Sequence, residues 1–411
     1  MTTGNAQVDQ MIVERLAAGK AAYEKLAERI GAVGYPSYLP VLANQLTLQE
    51  AQLIVDLADG VSTAQLAKDL KIDESALSGQ IDGLLARRVI LHSPGGYVIP
   101  RSPRFFPHGP PTPESNTLFT GFFRDGSYQK ILVDGWKVRM KNGAPQSHKV
   151  IPAKKALLAS PNVKPEQVLW YEDMEGIFRH AKSITQGGLK EDGTLGQKRE
   201  GGCGCRTVWN DACDAIGGCT GWQWKPGEWG SDETTRNEQA RPFRPGRREI
   251  SLEEAMVACY QMEDNGQIHI SPNTAQITGT CNCCPCCCVI MQPMTNYGDI
   301  HKMLAPSRFR AVIDQEICNG CQTCVERCHF DAIEMRKPAN SKKLKAYVIN
   351  EHCMGCGLCI FKCEQKAMHL ELVRSVEHIP THPWISPSTG AGAAARTPGL
   401  PDSGHRSGHG M

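Results

Sequence analysis

Residues 318–363 read CNGCQTCVERCHFDAIEMRKPANSKKLKAYVINEHCMGCGLCIFKC. Cys318, Cys321 and Cys324 recur at every third position and Cys328 follows after three further residues; Cys353, Cys356, Cys359 and Cys363 repeat that pattern. A loop with a cysteine at every third position can wrap three thiolates round three corners of a cubane, whereas the fourth, at the start of a helix, points to the other cluster. Cys318, Cys321, Cys324 and Cys363 are therefore expected to hold one [4Fe–4S] cluster, and Cys353, Cys356, Cys359 and Cys328 a second. Gly320, Gly355 and Gly357 permit tight folding and offer backbone N–H groups to sulfur. Apolar strands are expected after each fourth cysteine, at 332–335 and 367–372.

The segment from about Ala305 to Arg374 resembles the bacterial two-cluster ferredoxins. It departs from them where proline usually follows each fourth cysteine: His329 and Glu364 stand there instead. Either polar group can shift the local potential or its pH dependence without touching the ligand set. Zinc also takes four thiolates, but structural zinc sites pair close-spaced couples rather than repeated quartets with crossed fourth ligands. From Pro306 to Arg374 eleven lysines and arginines face eight acids. That excess suits a module docking on its own chain or on an acidic partner, or a solvated basic surface.

None of the nineteen cysteines precedes Cys203. Cys281, Cys283, Cys284, Cys286, Cys287 and Cys288 crowd into CNCCPCCC, and an extended chain there would present thiolates on two faces. Cys203 and Cys205 beside Arg206, then Cys213 and Cys219, bring the central candidates to ten. Such crowding favours soft metals. One or more further iron–sulfur clusters are expected, with structural zinc or a reactive thiol cluster as alternatives. Trp209, Trp222, Trp224 and Trp229 are read as packing residues, and Cys259, in the helical run SLEEAMVACYQMED, as an ordinary buried thiol.

Ahead of the cysteines, apolar positions at helical spacing over residues 8–33 predict an amphipathic helix. LTLQEAQLIVDLA, VSTAQLAKDLK and IDESALSGQIDGLLARRVI predict three helices, with Ser62 and Asp73 as N-caps, and VILHSPGGYVIP a strand–turn–strand. This order looks like a winged helix. Between Pro40 and Arg104, however, six basic residues meet seven acidic ones, and the would-be recognition helix opens Asp73-Glu74-Ser75-Ala76. A phosphate-seeking surface is basic, so protein docking or a structural role is favoured over nucleic-acid binding.

Pro103, Pro107, Pro110, Pro111 and Pro113 suggest a linker. FTGFFRDG, KILVDGWKVRM and SHKVIPAKKA read as short strands, and PEQVLWYEDMEGIFRHAKSI as a helix. Beyond Arg374 the Pro, Gly, Ser and Ala content predicts a disordered tail, and its scattered histidines are given no role. The expected fold class is α+β multidomain: residues 1–102 an N-terminal helix plus winged-helix-like domain, 103–304 a central cysteine-rich mixed domain, 305–374 a two-[4Fe–4S] ferredoxin-like domain, and 375–411 the tail. Lysine plus arginine total 45 against 43 acids, which supplies no global field for nucleic acid or membranes. The start has no apolar core with a cleavage site, and no eighteen apolar residues run together, so a cytoplasmic chain is expected. There the cysteines stay reduced and suit metal ligation or redox chemistry.

A winged-helix-like segment, KVIP at 149–152, CGCR at 203–206, a helix beginning EISLEEA, IHISPNT, CNCCPCCC and a two-cluster ferredoxin follow one another in this chain. That order resembles a family of iron–sulfur proteins of anaerobic bacteria and archaea described as 4Fe–4S ferredoxin-type proteins, from about Leu46 to Arg374. The resemblance implies an electron-transfer component of low-potential anaerobic metabolism, working with a partner oxidoreductase. Two alternatives remain: a redox-sensing regulator using the winged helix, and a reductase with a catalytic cluster at Cys281–Cys288. No catalytic residue is assigned, because no paired carboxylates, nucleophile–base pair, phosphate loop or dinucleotide fingerprint stands out.

Overall fold

The computed structural model describes residues 2–29, 32, 34–57, 62–87, 89–93, 96–98, 112–190, 192–196, 216–224, 248–277, 279–286, 288–339 and 342–382. Among these, no helix is long and apolar enough to cross a membrane. The chain is mixed α and β and divides between Asp134 and Gly135 into two compact units.

The first unit begins with α1 (Ala6–Arg29), which buries Ile12, Ala22, Tyr23 and Leu26 and kinks at Gly19. A side chain at Gly19 would overlap Leu48, so the glycine lets α1 approach the next helices closely. α2 (Tyr38–Gln45) and α3 (Leu48–Asp56) follow, then α4 (Thr63–Leu70) and α5 (Glu74–Ala86). Both expected N-caps form: the Ser62 hydroxyl accepts from Gln65 N and the Asp73 carboxylate from Ala76 N. β1 (Leu91–Ser93) pairs antiparallel with β2 (Gly96–Val98). The anticipated proline linker lies largely outside the described residues.

FTGFFRDG and KILVDGWKVRM are helical, not strands: they belong to α6 (Pro113–Arg124) and α7 (Ser127–Lys141). Thr112 caps α6 reciprocally with Ser115, and Pro113 opens its first turn. Phe119, Phe122 and Phe123 fall at i, i+3 and i+4, a helical stripe that their β-propensity masked. They cluster on Tyr38 and Tyr128, with ring centroids of Phe123 and Tyr128 4.3 Å apart. The Asp125-Gly126 turn separates the two helices, with Gly126 at φ +80°.

The second unit is built on a seven-stranded sheet. In chain order its elements are β3 (His148–Ile151), α8 (Lys154–Leu158), α9 (Met174–His180), β4 (Ala181–Gln186), β5 (Thr220–Trp224), β6 (Arg248–Ile250), α10 (Leu252–Asp264), β7 (Ile268–Pro272), β8 (Gly279–Cys283), α11 (Met291–Tyr297), α12 (Ile300–Met303) and β9 (Leu304–Ala305). The strand order is β6-β4-β5-β8-β7-β3-β9, antiparallel except for β3 with β9. PEQVLWYEDMEGIFRHAKSI is not one helix but two 3₁₀ turns, α9 and the start of β4. The Asp173 carboxylate caps α9 at Gly176 N, so a new helix starts there, and the Trp170 carbonyl fits against residue 176 because it is glycine: a Cβ would sit 2.7 Å from that oxygen. Ile151, Met174, Ile177, Phe178, Ile184, Trp222, Ile250 and Cys259 form the core between sheet and helices. Trp222 packs and donates its indole N–H to Ile277 O (3.1 Å); Trp209 and Trp229 lie outside the described residues.

The chain beyond Arg374 starts ordered. A 3₁₀ turn at Val376–His378 holds His378 Nε2 2.8 Å from Pro306 O, Ile379 is buried, and Pro380 O accepts from Ala275 N. Buried Ile379 supplies the anchor that the composition of the remainder lacks; residues 383–411 lie outside the described set.

Lys149, on β3, is 1% exposed and donates through Nζ to Thr274 O (2.7 Å) and Pro272 O (3.4 Å). Burial pulls its ammonium down to about 7, with the Glu172 charge opposing. A lysine depressed in the folded state binds fewer protons there than when unfolded, so stability rises with pH above about 7. Relative to Lys149→Met, the parent should gain about 2 kcal/mol between pH 7 and pH 9 in urea unfolding. A pH-independent difference would contradict this.

Candidate metal centre

After the sheet come β10 (Phe309–Ile313), α13 (Thr323–Glu326), β11 (Ile333–Arg336), β12 (Lys345–Val348) and β13 (Met368–Leu372). β10 pairs antiparallel with β13 and β11 with β12, so the chain ends of the segment meet while the cysteine loops cover them. The strands expected after each fourth cysteine are β11 and β13. Those cysteines do not begin helices: Cys328 stands just past α13, and Cys363 past a series of turns. Asp331 and Lys366, each three residues beyond a fourth cysteine, both adopt left-handed φ (+49° and +53°), so the sequence repeat is a backbone repeat.

A hollow open to solvent is lined by Cys318, Cys321, Cys324 and Cys363 with Ile313, Ala346, Ala367 and Met368. Three thiols from the first motif and the last of the second thus meet. Burial, joined by the charges of neighbouring Cys321, Cys318 and Cys363, pushes the Cys324 thiol up to about 11. Cys321 is exposed, so this quartet borders solvent.

Cys328, Cys353, Cys356 and Cys359 form the other quartet. Burial is the largest cause of the raised pKa values of Cys328, Cys356 and Cys359, with Cys356 reaching about 12, and neighbouring thiols of the quartet raise them too. Ala311 N donates to Cys353 Sγ (3.5 Å) and Ala332 N to Cys328 Sγ (3.3 Å). Clustered, desolvated thiols call for a soft cation to stabilise the thiolates. Hollow, convergence and N–H groups aimed at sulfur all fit an iron–sulfur cubane. Cys324 also raises Cys359, which places the two quartets side by side.

Gly320, Gly355 and Gly357 have φ of +81°, +66° and +78°, and Cβ atoms there would overlap Leu344 O, Phe309 O and Ala156 Cβ respectively.

Basic residues of this module meet the C-terminal end of α10. Arg327 donates to Glu263 O (2.9 Å) and Asp264 O (3.3 Å), Lys362 pairs with Asp264 (2.9 Å), and Lys155 pairs with it as well. Free carbonyls and a carboxylate at a helix C-terminus attract such cations. His329, where a proline was expected, places Nε2 2.7 Å from Gly266 O, so the departure forms a tether to the turn between α10 and β7. Ala153 N donates to Cys356 O (2.9 Å), and Leu370 N to Ser160 Oγ (2.8 Å).

Of the ten central candidates, Cys203, Cys205, Cys213 and Cys287 lie outside the described residues. Cys219 and Cys281 face each other across β5 and β8, with sulfurs 4.0 Å apart. Cys281 and Cys283 are buried and, two apart on β8, share one face; Cys284 and Cys286 bring their sulfurs to 2.7 Å beyond the strand end. Cys288 is fully buried and accepts from Ile290 N (3.4 Å). The alternation expected of an extended CNCCPCCC therefore holds only through Cys283.

These features define a 4Fe–4S ferredoxin-type domain near the C-terminus. A family model described as "4Fe-4S dicluster domain" matches residues 317–367. None of the curated proteins matches the chain. Residues 317–367 thus carry a 4Fe–4S ferredoxin-type domain, which supports iron–sulfur electron transfer in general.

Proposed function

We infer that this protein is an electron conduit in which two [4Fe–4S] clusters, on Cys318, Cys321, Cys324 and Cys363 and on Cys353, Cys356, Cys359 and Cys328, lead to a further iron–sulfur centre held by the central cysteines. The observation that carries this reading is the meeting of Cys318, Cys321 and Cys324 with Cys363 around one hollow. The exposed Cys321 side suits exchange with a redox partner, and the second quartet lies against the central sheet through Ala153 and Arg327. Low-potential anaerobic metabolism, a partner oxidoreductase and a cytoplasmic setting complete the proposal. The three helices and hairpin of residues 48–98 serve protein docking in this reading, because Asp73 and Glu74 open α5, where a DNA reader carries base or phosphate contacts.

After anaerobic purification the protein should carry about eight irons on the two quartets and more when the central centre is filled. Cys318→Ala should remove one [4Fe–4S] EPR signal, and Cys283→Ala a different signal along with the iron above eight. Iron staying near eight in the parent would remove the central centre. An unchanged spectrum in Cys318→Ala would remove the ferredoxin ligand assignment.

A further inference from the structure

We propose that Cys259, Glu263 and His269 bind a single divalent cation of the zinc class, at a site separate from every cysteine assigned to iron and sulfide. Cys259 and Glu263 lie four residues apart on α10, hence on one face, and His269 is the second residue of β7, the strand that face covers. All three are at most 1% exposed.

Their ligand atoms converge. Cys259 Sγ is 3.5 Å from Glu263 Oε1 and 3.6 Å from His269 Nε2, and Nε2 is 3.4 Å from Oε1. A tetrahedral zinc ion with usual bond lengths separates its nitrogen and oxygen ligands by about 3.3 Å, and its sulfur from either by about 3.6 Å. The three atoms therefore form one face of a coordination tetrahedron, with the fourth position left for a water or small ligand.

The surrounding hydrogen bonds fix what the histidine offers. The Asn282 amide donates through Nδ2 to Gly218 O (2.8 Å) and to Thr220 Oγ1 (2.9 Å), whose hydroxyl in turn donates to Gln186 Oε1 (2.7 Å). Asn282 Oδ1 is thus an acceptor and stands 2.7 Å from His269 Nδ1, so Nδ1 carries a proton. In its neutral form the ring turns its Nε2 lone pair on Glu263 and Cys259. Glu263 is held in turn by Lys154 N on Oε1 (2.6 Å) and Lys155 N on Oε2 (3.1 Å). A metal-bound histidine commonly has its other ring nitrogen engaged in this way.

Hydrogen bonding alone leaves a deficit in this arrangement. With the ring in that neutral form, the Cys259 thiol has one proton and can satisfy Glu263 or His269 but not both, which sets two lone pairs against each other in a buried space. A cation satisfies all three donors at once. One thiolate, one imidazole and one carboxylate suit zinc rather than a cubane, which takes one terminal thiolate or its equivalent on each of four irons. The site has a structural consequence too: α10 receives Arg327 at Glu263 and Asp264, and Asn282 stands between Cys281 and Cys283. The cation would clamp the cysteine-bearing strand to the helix on which the ferredoxin module rests.

The test is metal analysis of the full chain purified anaerobically and loaded with its iron and sulfide, followed by zinc-edge X-ray absorption on the same sample. About one zinc per chain is expected, with one sulfur and the remaining ligands nitrogen or oxygen. His269→Gln and Glu263→Gln should each lose that zinc while retaining the iron signals, which separates this outcome from failure of the iron–sulfur reading. No zinc in the parent, or zinc bound by sulfur alone as expected for occupation of cluster cysteines, overturns the proposal. The parent measurement decides the matter even if a variant fails to fold.

Discussion

Gly355→Ala is expected to cost the chain the cluster on Cys328, Cys353, Cys356 and Cys359. Gly355 holds φ at +66°, which for alanine costs roughly 1–2 kcal/mol before any contact is counted. Its added methyl would also overlap Phe309 O and Ser307 Oγ. Neither can yield freely, because Phe309 opens the β10–β13 ladder and the Ser307 hydroxyl donates to Gly355 O (2.9 Å). The loop between Cys353 and Cys356 must shift to relieve the overlap, and three cluster corners shift with it. Iron should fall by at least about four per chain, with loss of one EPR signal. Gly83→Ala is the control: nothing lies within 4 Å of a Cβ there, and alanine in a helix interior gains up to about 1 kcal/mol over glycine. A Gly355→Ala protein with full iron would refute the argument.

The same contrast explains which parts of the fold were readable in the sequence. Ser62 and Asp73 were legible as caps because capping is local, decided within three residues. The cysteine quartets were legible because their spacing is itself the geometry of the loop. Phe119, Phe122 and Phe123 were misread because aromatic content suggested strands, whereas their i, i+3, i+4 positions and the Thr112–Ser115 box specify α6. The break at Asp173 brings the Trp170 carbonyl against Gly176, where a Cβ would not fit, a close approach that no periodicity displays.

Site residues divide along the same line. The resting place of the basic ferredoxin module was open between its own chain, an acidic partner and solvent; Arg327, Lys362 and His329 place much of that charge against α10 and Gly266. Cys259 looked like packing alone, since nothing in SLEEAMVACYQMED announces His269. Its spacing to Glu263 was visible as one helix face, but the partner strand arrives only through the sheet register, in which His269 lies opposite Asn282. Contacts between residues far apart in sequence, or made across a sheet, are set by tertiary packing and leave little local trace.

Arg308→Met should produce the largest loss of stability, about 3–5 kcal/mol. Arg308 and Glu172 form a buried ion pair at 2.7 Å, with side chains 7% and 2% exposed. The guanidinium also donates to Gln167 O, Arg374 O and Ser375 O, and so ties the start of the ferredoxin module to the segment that follows it. Glu172 Oε1 finds no hydrogen-bond partner among the described residues, so its carboxylate relies on Oε2, which meets Arg308 and Leu169 N. Burial already raises the Glu172 carboxyl above the usual range, and the Arg308 charge is the main influence pulling it back. Methionine fills much of the arginine's volume but leaves that carboxyl buried without its cation. Its folded pKa then climbs further above the unfolded one, and a group raised in this way loses stability as pH rises through the window between the two. The deficit of Arg308→Met should therefore be larger at pH 7 than at pH 5, read as urea midpoints at the two pH values. Glu172→Gln in the same chain should recover a large part of the loss and flatten the pH dependence, because glutamine keeps an oxygen for Leu169 N and carries no charge. A deficit equal at both pH values, or one that Glu172→Gln leaves untouched, would mean that Arg308 acts through its carbonyl contacts rather than through the ion pair.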